Sequence, residues 1–219
     1  MGIFGSLFGG KKKSSGLSPE VAQIFEKVAG MMEDENLQNS MHNSILKDEI
    51  VGGLDVDELP HGIGEFGRSA ENPIPVNGVF GELVYLSLLK TQDTNQRLLF
   101  HRLGSVESID IYETVSIDGH NWDILFFSFY HPRKSRKAPN GYSIAKLSNQ
   151  PLFYGTNRRV EGFPYGLQEA IRKTTKQMIG IPLPPPQVRQ AEESVSFKRP
   201  REHEERIKIA TGHVEGFIS

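Results

Sequence analysis

Four side chains in the middle of the chain can take part in proton transfer: His61, Glu65, His101 and Glu113. A histidine and a carboxylate within hydrogen-bonding distance can act together as a general acid and a general base. His101 and Glu113 lie in segments typical of β-strands, whereas His61 and Glu65 lie in a stretch rich in glycine and proline. The sequence therefore allows an enzyme with a hydrolase-like acid–base site between this stretch and the sheet.

Glu113 occupies a position where the strand pattern calls for an apolar residue. Side chains alternate between the two faces of a strand, so Glu113 shares its face with Ile111 and Val115. A carboxylate on a buried face must be paired or must have a raised pKa. We therefore expect an ion pair, with Arg102 or Arg97 as candidate partners, in preference to a catalytic acid.

Four cations lie within five residues after the fourth predicted strand: Arg133, Lys134, Arg136 and Lys137, which we call the basic loop. Such a cluster can bind a phosphate group, an RNA backbone or an acidic protein surface, or it can simply be solvated. The formal net charge of -2 argues against a dedicated nucleic-acid-binding protein, whose domain is usually basic. We therefore predict the basic loop as a binding site for a protein, with weak phosphate or nucleic-acid binding as the alternative.

Neither a metal nor a cofactor is predicted. The glycines in HGIGEFG match the dinucleotide-binding fingerprint, but that fingerprint needs a helix directly after it, and Pro73 and Pro75 prevent one. The chain has no cysteine, and its histidines lack the close spacing typical of metal ligands. The glycines of HGIGEFG are therefore interpreted as turn residues and not as a dinucleotide-binding motif.

Residues 1–16, the leader, place apolar side chains ahead of three lysines. A secretory signal has the opposite order, so secretion by that route is disfavoured. Gly2 and Ser6 match the pattern for N-myristoylation, and the lysines would add electrostatic attraction to a membrane. Two further roles fit the same residues: a leader that is flexible or packs on the domain, and an unmodified leader that contacts a membrane or a partner. The residues predicted to contact lipid are Gly2, Phe4, Phe8, Lys11, Lys12 and Lys13.

The elements that must position these side chains begin with a helical segment at 17–51. A Ser-Pro-Glu start at 18–20 and apolar residues at helical spacing after it predict two short helices or one broken helix. From 52 to 81, glycines and prolines interrupt both the helical and the strand spacing of apolar residues. An irregular stretch of this length in a compact domain is often functional, so we expect it to lie along the surface and form part of any site.

Residues 82–181 are predicted to form the main β-rich domain. Four segments bounded by turn signals are typical of strands: LVYLSLLKT, RLLFHRLGSV, IDIYETVSI and WDILFFSFYH. The pattern GLQEAIRKTTKQMIG predicts a late amphipathic helix, and 182–219 follow as a Pro-rich spacer and charged tail with RIKIA as a candidate edge strand. The predicted fold class is α+β, with a mainly antiparallel sheet of four or more strands covered by N-terminal helices and one late amphipathic helix.

Composition limits the remaining functions. No apolar run approaches the roughly 18 residues that a membrane-spanning helix needs, and a chain without cysteine suits a reducing cytoplasm. We predict a non-enzymatic cytoplasmic binding or adaptor protein, whose leader allows peripheral contact with the inner face of a membrane. A protein is the favoured partner, a membrane surface is the second, nucleic acid is disfavoured, and the sequence leaves a small-molecule substrate open.

Overall fold

A computed structural model of the chain describes residues 19–147 and 152–215. Within these ranges the protein has an α+β fold, as predicted. Its helices are α1 (Pro19–Glu33), α2 (Glu35–Ser40), α3 (Ser44–Gly52), α4 (Gly78–Leu88), α5 (Leu167–Ile179), α6 (Pro186–Ser194) and α7 (Arg201–Glu215). Its strands are β1 (Ile74–Pro75), β2 (Leu89–Thr91), β3 (Leu98–Val106), β4 (Ile109–Ser116), β5 (Trp122–Ser128), β6 (Tyr142–Ile144) and β7 (Gly155–Thr156).

The main sheet has five strands in the order β1-β5-β4-β3-β7. The three long strands β3, β4 and β5 pair antiparallel, whereas the two-residue strands β1 and β7 pair parallel at the edges. β2 and β6 form a separate antiparallel pair. The sheet is therefore mixed, with an antiparallel centre.

Strand β4 shows how the sheet divides the core. Tyr112 packs edge-to-face against Phe100 and Phe127 in the main core, where Tyr85 of α4 also contacts Phe127. Side chains alternate along a strand, so the neighbouring Ile111 points to the other face. There it joins a smaller apolar cluster of Leu103, Ile124 and Ala210. Both faces of the central strands are therefore covered.

The segment predicted as the first strand, LVYLSLLKT, is mostly helical. Gly78–Leu88 form α4, and only Leu89–Thr91 are extended, as β2. Every residue from Phe80 to Leu88 is buried. An apolar run that is buried on all sides has neither helical nor strand periodicity, and this is why the strand prediction is wrong here.

The predicted edge strand RIKIA is also a helix, because it lies within α7. His203, Ile207 and Ala210 recur at spacings of four and three residues, which places them on one helical face. That face packs on β3 and β5, on the side of the sheet opposite the main core. The charged tail is thus part of the folded domain.

Residues 53–77, the irregular segment, contain β1 as their only strand and connect α3 to α4. The segment packs closely, since Phe66 and Ile74 are buried in the main core and the Phe126 N–H donates to the Gly67 carbonyl at 2.9 Å. This packing holds the segment beside β5. In the structure the irregular segment ends at residue 77, where α4 begins, whereas the predicted stretch ran from 52 to 81.

The N-terminal helices reach the sheet mainly through α4. Helix α2 packs on α4, and Val28 and Met32 of α1 belong to the main core.

Among the helices of the described residues, none is long and apolar enough to cross a membrane.

Candidate functional site

A polar cavity of about 660 Å³ lies between the irregular segment, β5, β6 and the start of α7. Charged and aromatic side chains from all four elements line it. They include Arg68, Trp122, Asp123, Tyr142, His203 and Arg206. A concave site with a few converging polar groups is where a small ligand binds in most proteins.

Asp123 is the anionic centre of this cavity. Its Oδ2 accepts hydrogen bonds from Arg68 Nε at 2.7 Å and from the Tyr142 hydroxyl at 3.1 Å, and its Oδ1 accepts from Arg206 Nη2 at 3.0 Å. Burial and the charge of Asp123 raise the pKa of Tyr142, so the hydroxyl stays protonated and donates. Glu65 also pairs with Arg68, and Asp93 and Glu202 line the cavity as well, so carboxylates outnumber guanidinium groups around Asp123.

The two arginines differ in how many of their donors are used. Arg68 also binds the Glu65 carboxylate and donates from Nη2 to the Asn140 carbonyl at 2.8 Å. Arg206 has a side chain that is 47% exposed, and within the described residues only its Nη2 makes a hydrogen bond. Arg206 is therefore the cation with donors available to a ligand in the cavity.

A second buried carboxylate, Glu113, lies next to the cavity, in contact with His203. Its Oε1 accepts from Arg199 Nε at 2.7 Å and from His203 Nε2 at 3.1 Å. Its Oε2 accepts from His101 Nε2 at 2.8 Å and from Arg199 Nη2 at 3.0 Å. Burial alone would raise the pKa of Glu113, but these hydrogen bonds and the charge of Arg199 lower it to about 2. The side chain is ionised although only 1% of it is exposed.

The hydrogen bonds also set the tautomers of both histidines. The Val160 N–H donates to His101 Nδ1 at 2.9 Å, so the proton of the neutral ring is on Nε2, facing Glu113. Burial lowers the pKa of His101, which keeps this ring neutral. His203 likewise donates from Nε2 to Glu113, which leaves a lone pair on Nδ1 when the ring is neutral. His203 is 3% exposed, and its Nδ1 has no hydrogen-bond partner among the described residues.

Trp122 joins the two carboxylate clusters. It precedes Asp123 in β5, its ring centroid lies 5.5 Å from that of His203, and the Arg199 guanidinium lies 5.3 Å from its ring centroid. Its indole N–H donates to the Gly119 carbonyl at 3.1 Å, which fixes the ring. Contacts with Gly119 on one side and with His203 and Arg199 on the other therefore hold the Trp122 ring in place at the edge of the cavity.

The four residues predicted for acid–base chemistry do not form one site. His101 and Glu113 meet in the buried cluster, whereas His61 and Glu65 are exposed in the irregular segment. Glu65 binds Arg68 and so contacts the rim of the cavity, but it does not approach Glu113. The arginine that pairs with Glu113 is Arg199, whereas the two expected candidates bind elsewhere, Arg102 to Asp110 and Arg97 to the Ser87 carbonyl.

The basic loop is paired with acidic side chains of the same chain. Arg133 binds Asp55 and Asp57, Lys134 binds Glu35 at 2.8 Å, and Lys137 binds Glu58. Arg136 donates its backbone N–H to Asp57 at 2.8 Å, and its side chain is exposed. The loop therefore connects the end of β5 to the irregular segment and to α2.

The lipid-contact prediction for Gly2, Phe4, Phe8 and Lys11 to Lys13 lies outside the described residues. Within those residues, no group of three or more histidine, aspartate or glutamate side chains is arranged to hold a metal ion.

The residues of the cavity and of the buried Glu113 cluster that sequence reasoning missed are mostly in the tail. Arg199, His203 and Arg206 fall in the segment predicted as a charged tail, although the helical spacing of His203, Ile207 and Ala210 was a usable signal for a helix packed on the domain. Comparison of the chain with protein-family models, with curated proteins and with solved structures finds no match.

Proposed function

We propose that this is a binding protein for a small polar ligand, held in the cavity between Asp123, Trp122, His203 and Arg206. The observation that carries the proposal is His203: a buried ring lining the cavity, fixed by Glu113 through one nitrogen and unpaired at the other among the described residues. A buried polar atom without a partner costs about 1–3 kcal/mol. Nδ1 is itself buried, so a ligand that donates a hydrogen bond to it reaches it through a shift of the ring or of a neighbouring side chain and then removes this cost.

The side chains indicate the chemistry of the ligand. Arg206 offers unused donors to an anionic group, and His203 Nδ1 offers an acceptor to a hydroxyl. The two residues are three positions apart on α7, so they are neighbours on one helical face, about 5–6 Å apart at Cβ. A carboxylate or phosphate separated from a hydroxyl by a few bonds fits this spacing. We therefore propose a small hydroxylated acid as the ligand class.

The test uses 3-hydroxybutanoate and glycerol phosphate as probes, with binding followed by saturation-transfer NMR and calorimetry. We expect at least one probe to bind, and we expect Arg206→Gln to weaken it roughly tenfold or more, the value of a hydrogen bond to a charged group. Arg189→Gln is the matched control, because Arg189 is an exposed arginine of α6 paired with Glu193. If neither probe binds, or if both variants behave as the wild type, the proposal is wrong.

An enzyme is the second candidate, favoured by the Glu113–His203 pair. A carboxylate that holds a histidine by one nitrogen leaves the other free to act as a general base. The test is hydrolysis of 4-nitrophenyl acetate by the wild type, by His203→Gln and by His61→Gln, which removes an exposed histidine outside the cavity. Loss of the rate only in His203→Gln would support an enzyme, and equal rates in all three proteins would exclude this role.

We place the function in the cavity rather than at the basic loop. The ion pairs of Arg133, Lys134 and Lys137 with acidic side chains neutralise much of the charge that a partner would need. We further propose that the protein acts in the cytoplasm, which its composition favours.

A further inference from the structure

Leu37, Met41 and Ile45 are apolar side chains that point away from the domain, and we call them the outer face of α2 and α3. They are 41%, 41% and 74% exposed. Met41 keeps helical backbone angles at the end of α2, so Leu37 and Met41, four residues apart, lie side by side. Ile45 follows in the first turn of α3, which packs against α2. Exposed apolar side chains that lie together are typical of an interaction site.

The opposite side of α2 is fixed to the domain. Gln38 and Asn39 are buried there. The Gln38 side chain donates to the Met31 and Met32 carbonyls at 2.8 and 3.0 Å, and Asn39 Nδ2 donates to the Pro132 carbonyl at 2.8 Å. These hydrogen bonds determine which side of α2 faces inward. The outer face therefore cannot turn toward the core to bury its apolar side chains.

Helices α1 to α3 are strongly acidic. Residues 19–52 carry seven carboxylates and two lysines, a net charge of -5. Among the described residues only one of the seven, Glu35, forms an ion pair, with Lys134. Arg133 and Lys137 of the basic loop already bind carboxylates of the irregular segment. Six carboxylates of the three helices are therefore left without a cationic partner in the described part of the chain.

The leader has the complementary composition. Its apolar residues precede three lysines, and residues 1–16 contain no carboxylate. We infer that the leader binds to its own domain, with the apolar side chains of residues 3–8 on the outer face and with Lys11, Lys12 and Lys13 beside the carboxylates of α1 to α3. This contact is separate from the polar cavity and does not depend on the proposed ligand.

The chain between the two parts is long enough for this contact. Ten residues, 9–18, connect Phe8 to Pro19 and span at most about 33 Å. Helix α1 has 15 residues and is therefore about 22 Å long. The leader can thus run back along α1 and reach α2. Because the leader is tethered, its effective concentration at the outer face is on the order of millimolar, so a weak contact is sufficient.

Charge disfavours the other occupants of the outer face. A second copy of the chain would bring the same acidic helices against it, and an anionic membrane surface would also be repelled. A segment that is both apolar and cationic matches the face in both respects. The leader supplies such a segment on the same chain.

The absence of cysteine allows a single spin label to be attached to the full chain through Gly9→Cys. Amide signals of residues near the label broaden, so they locate the leader in solution. We expect the strongest broadening at residues 35–49, in α2 and α3, and none in α7. Lys11→Glu, Lys12→Glu and Lys13→Glu together should abolish the broadening in α2 and α3, whereas three arginines at the same positions should preserve it.

A second variant tests the apolar part of the contact. We expect Ile45→Gln to lower the ratio of bound to unbound leader roughly tenfold, the value of burying one aliphatic side chain. Ile209→Gln is the matched control, because Ile209 is 67% exposed on α7, which packs on the other side of the sheet from α4. Equal effects of the two substitutions would contradict the inference.

Three further results would overturn it. Broadening that is greatest in the first turn of α1 and decreases along the chain would show that the leader does not bind the outer face. Broadening in α2 and α3 of an isotope-labelled chain without a spin label, mixed with the spin-labelled chain, would assign the face to a second molecule. Binding of the leader to anionic phospholipid vesicles, without broadening in α2 and α3 before they are added, would assign the leader to a membrane.

Discussion

Glu113 is a carboxylate whose contribution to stability depends on pH. Its pKa is lowered from about 4.5 to about 2 in the folded protein, although burial alone would raise it. Such a group stabilises the fold above its unfolded-state pKa, and this contribution is lost as the pH falls through the folded-state value. We expect Glu113→Gln to reduce the free energy of unfolding by about 3 kcal/mol at pH 7, because it leaves Arg199 without its buried partner.

Urea denaturation at several pH values measures this effect. The difference between wild type and Glu113→Gln should shrink as the pH falls from about 4.5 toward 2. Glu169→Gln is the control, since Glu169 pairs with Arg172 on the exposed face of α5 and its loss should cost less than about 0.5 kcal/mol. A difference that stays constant over this pH range would contradict the assignment.

Glu82 shows the opposite dependence on pH. Burial and the negative charge of Asp110 raise its pKa well above the ordinary value, and its Oε2 accepts from the Tyr112 hydroxyl at 2.7 Å. Its stabilising contribution is therefore complete below the unfolded-state pKa and is lost as the pH rises through the raised value. We expect Glu82→Gln, which cannot ionise, to lose less stability than the wild type in urea denaturation as the pH is raised from about 4.5. Parallel curves for the two proteins would mean that Glu82 does not titrate in this way.

At the residue scale, the sequence pattern identified Glu113 as unusual but did not identify its partners. Strand alternation depends on the nearest neighbours in the chain, and these were sufficient to mark a carboxylate among apolar residues. Arg199 and His203 follow Glu113 by 86 and 90 residues, so their proximity depends on how α7 packs across the sheet. No local pattern carries that information.

At the element scale, the parallel pairing of β3 with β7 depends on a glycine. A Cβ atom on Gly155 would overlap the carbonyl oxygen and ring of Phe100 in the neighbouring strand. We expect Gly155→Ala to reduce the free energy of unfolding by about 2 kcal/mol in thermal or urea denaturation, because strand backbones must separate to fit the methyl group. Gly104→Ala in β3 is the matched control. It meets nothing within 4 Å, so its effect should stay within about 0.5 kcal/mol. Equal losses of stability in the two variants would mean that β7 lies farther from β3 than the structure shows.

The elements with clear periodicity could be predicted, and the buried ones could not. The second, third and fourth of the four predicted strand segments correspond to β3, β4 and β5, and the late helix corresponds to α5. In each case one face differs in polarity from the other or turn residues mark both ends. Helix α4 is buried on nearly all sides, so its composition suited a strand equally well.

At the scale of the whole molecule, charged side chains hold the irregular segment against the rest of the domain. Arg133 and Lys137 of the basic loop bind Asp55, Asp57 and Glu58, and Arg68 within the segment binds Asp123 of β5. These ion pairs act together with backbone hydrogen bonds, such as those from the Phe126 N–H to the Gly67 carbonyl and from the Ser135 N–H to the Pro75 carbonyl. The segment in turn carries Arg68 into the wall of the cavity, so these ion pairs also shape the ligand site.

Arg133→Ala should therefore loosen the irregular segment without unfolding the sheet. Its guanidinium donates to both Asp55 and Asp57 and is only 12% exposed, so two carboxylates lose their shared partner when it is removed. Local opening costs less free energy than global unfolding, and amide hydrogen exchange reports the two separately. We expect faster exchange at residues 54–68 and unchanged exchange in β3, β4 and β5. Arg189→Ala, which removes an exposed ion pair on α6, should change neither. Uniformly faster exchange across the sheet would show that the basic loop supports the whole fold. Faster exchange confined to the segment would instead identify the loop as its anchor and as a distant support of the cavity.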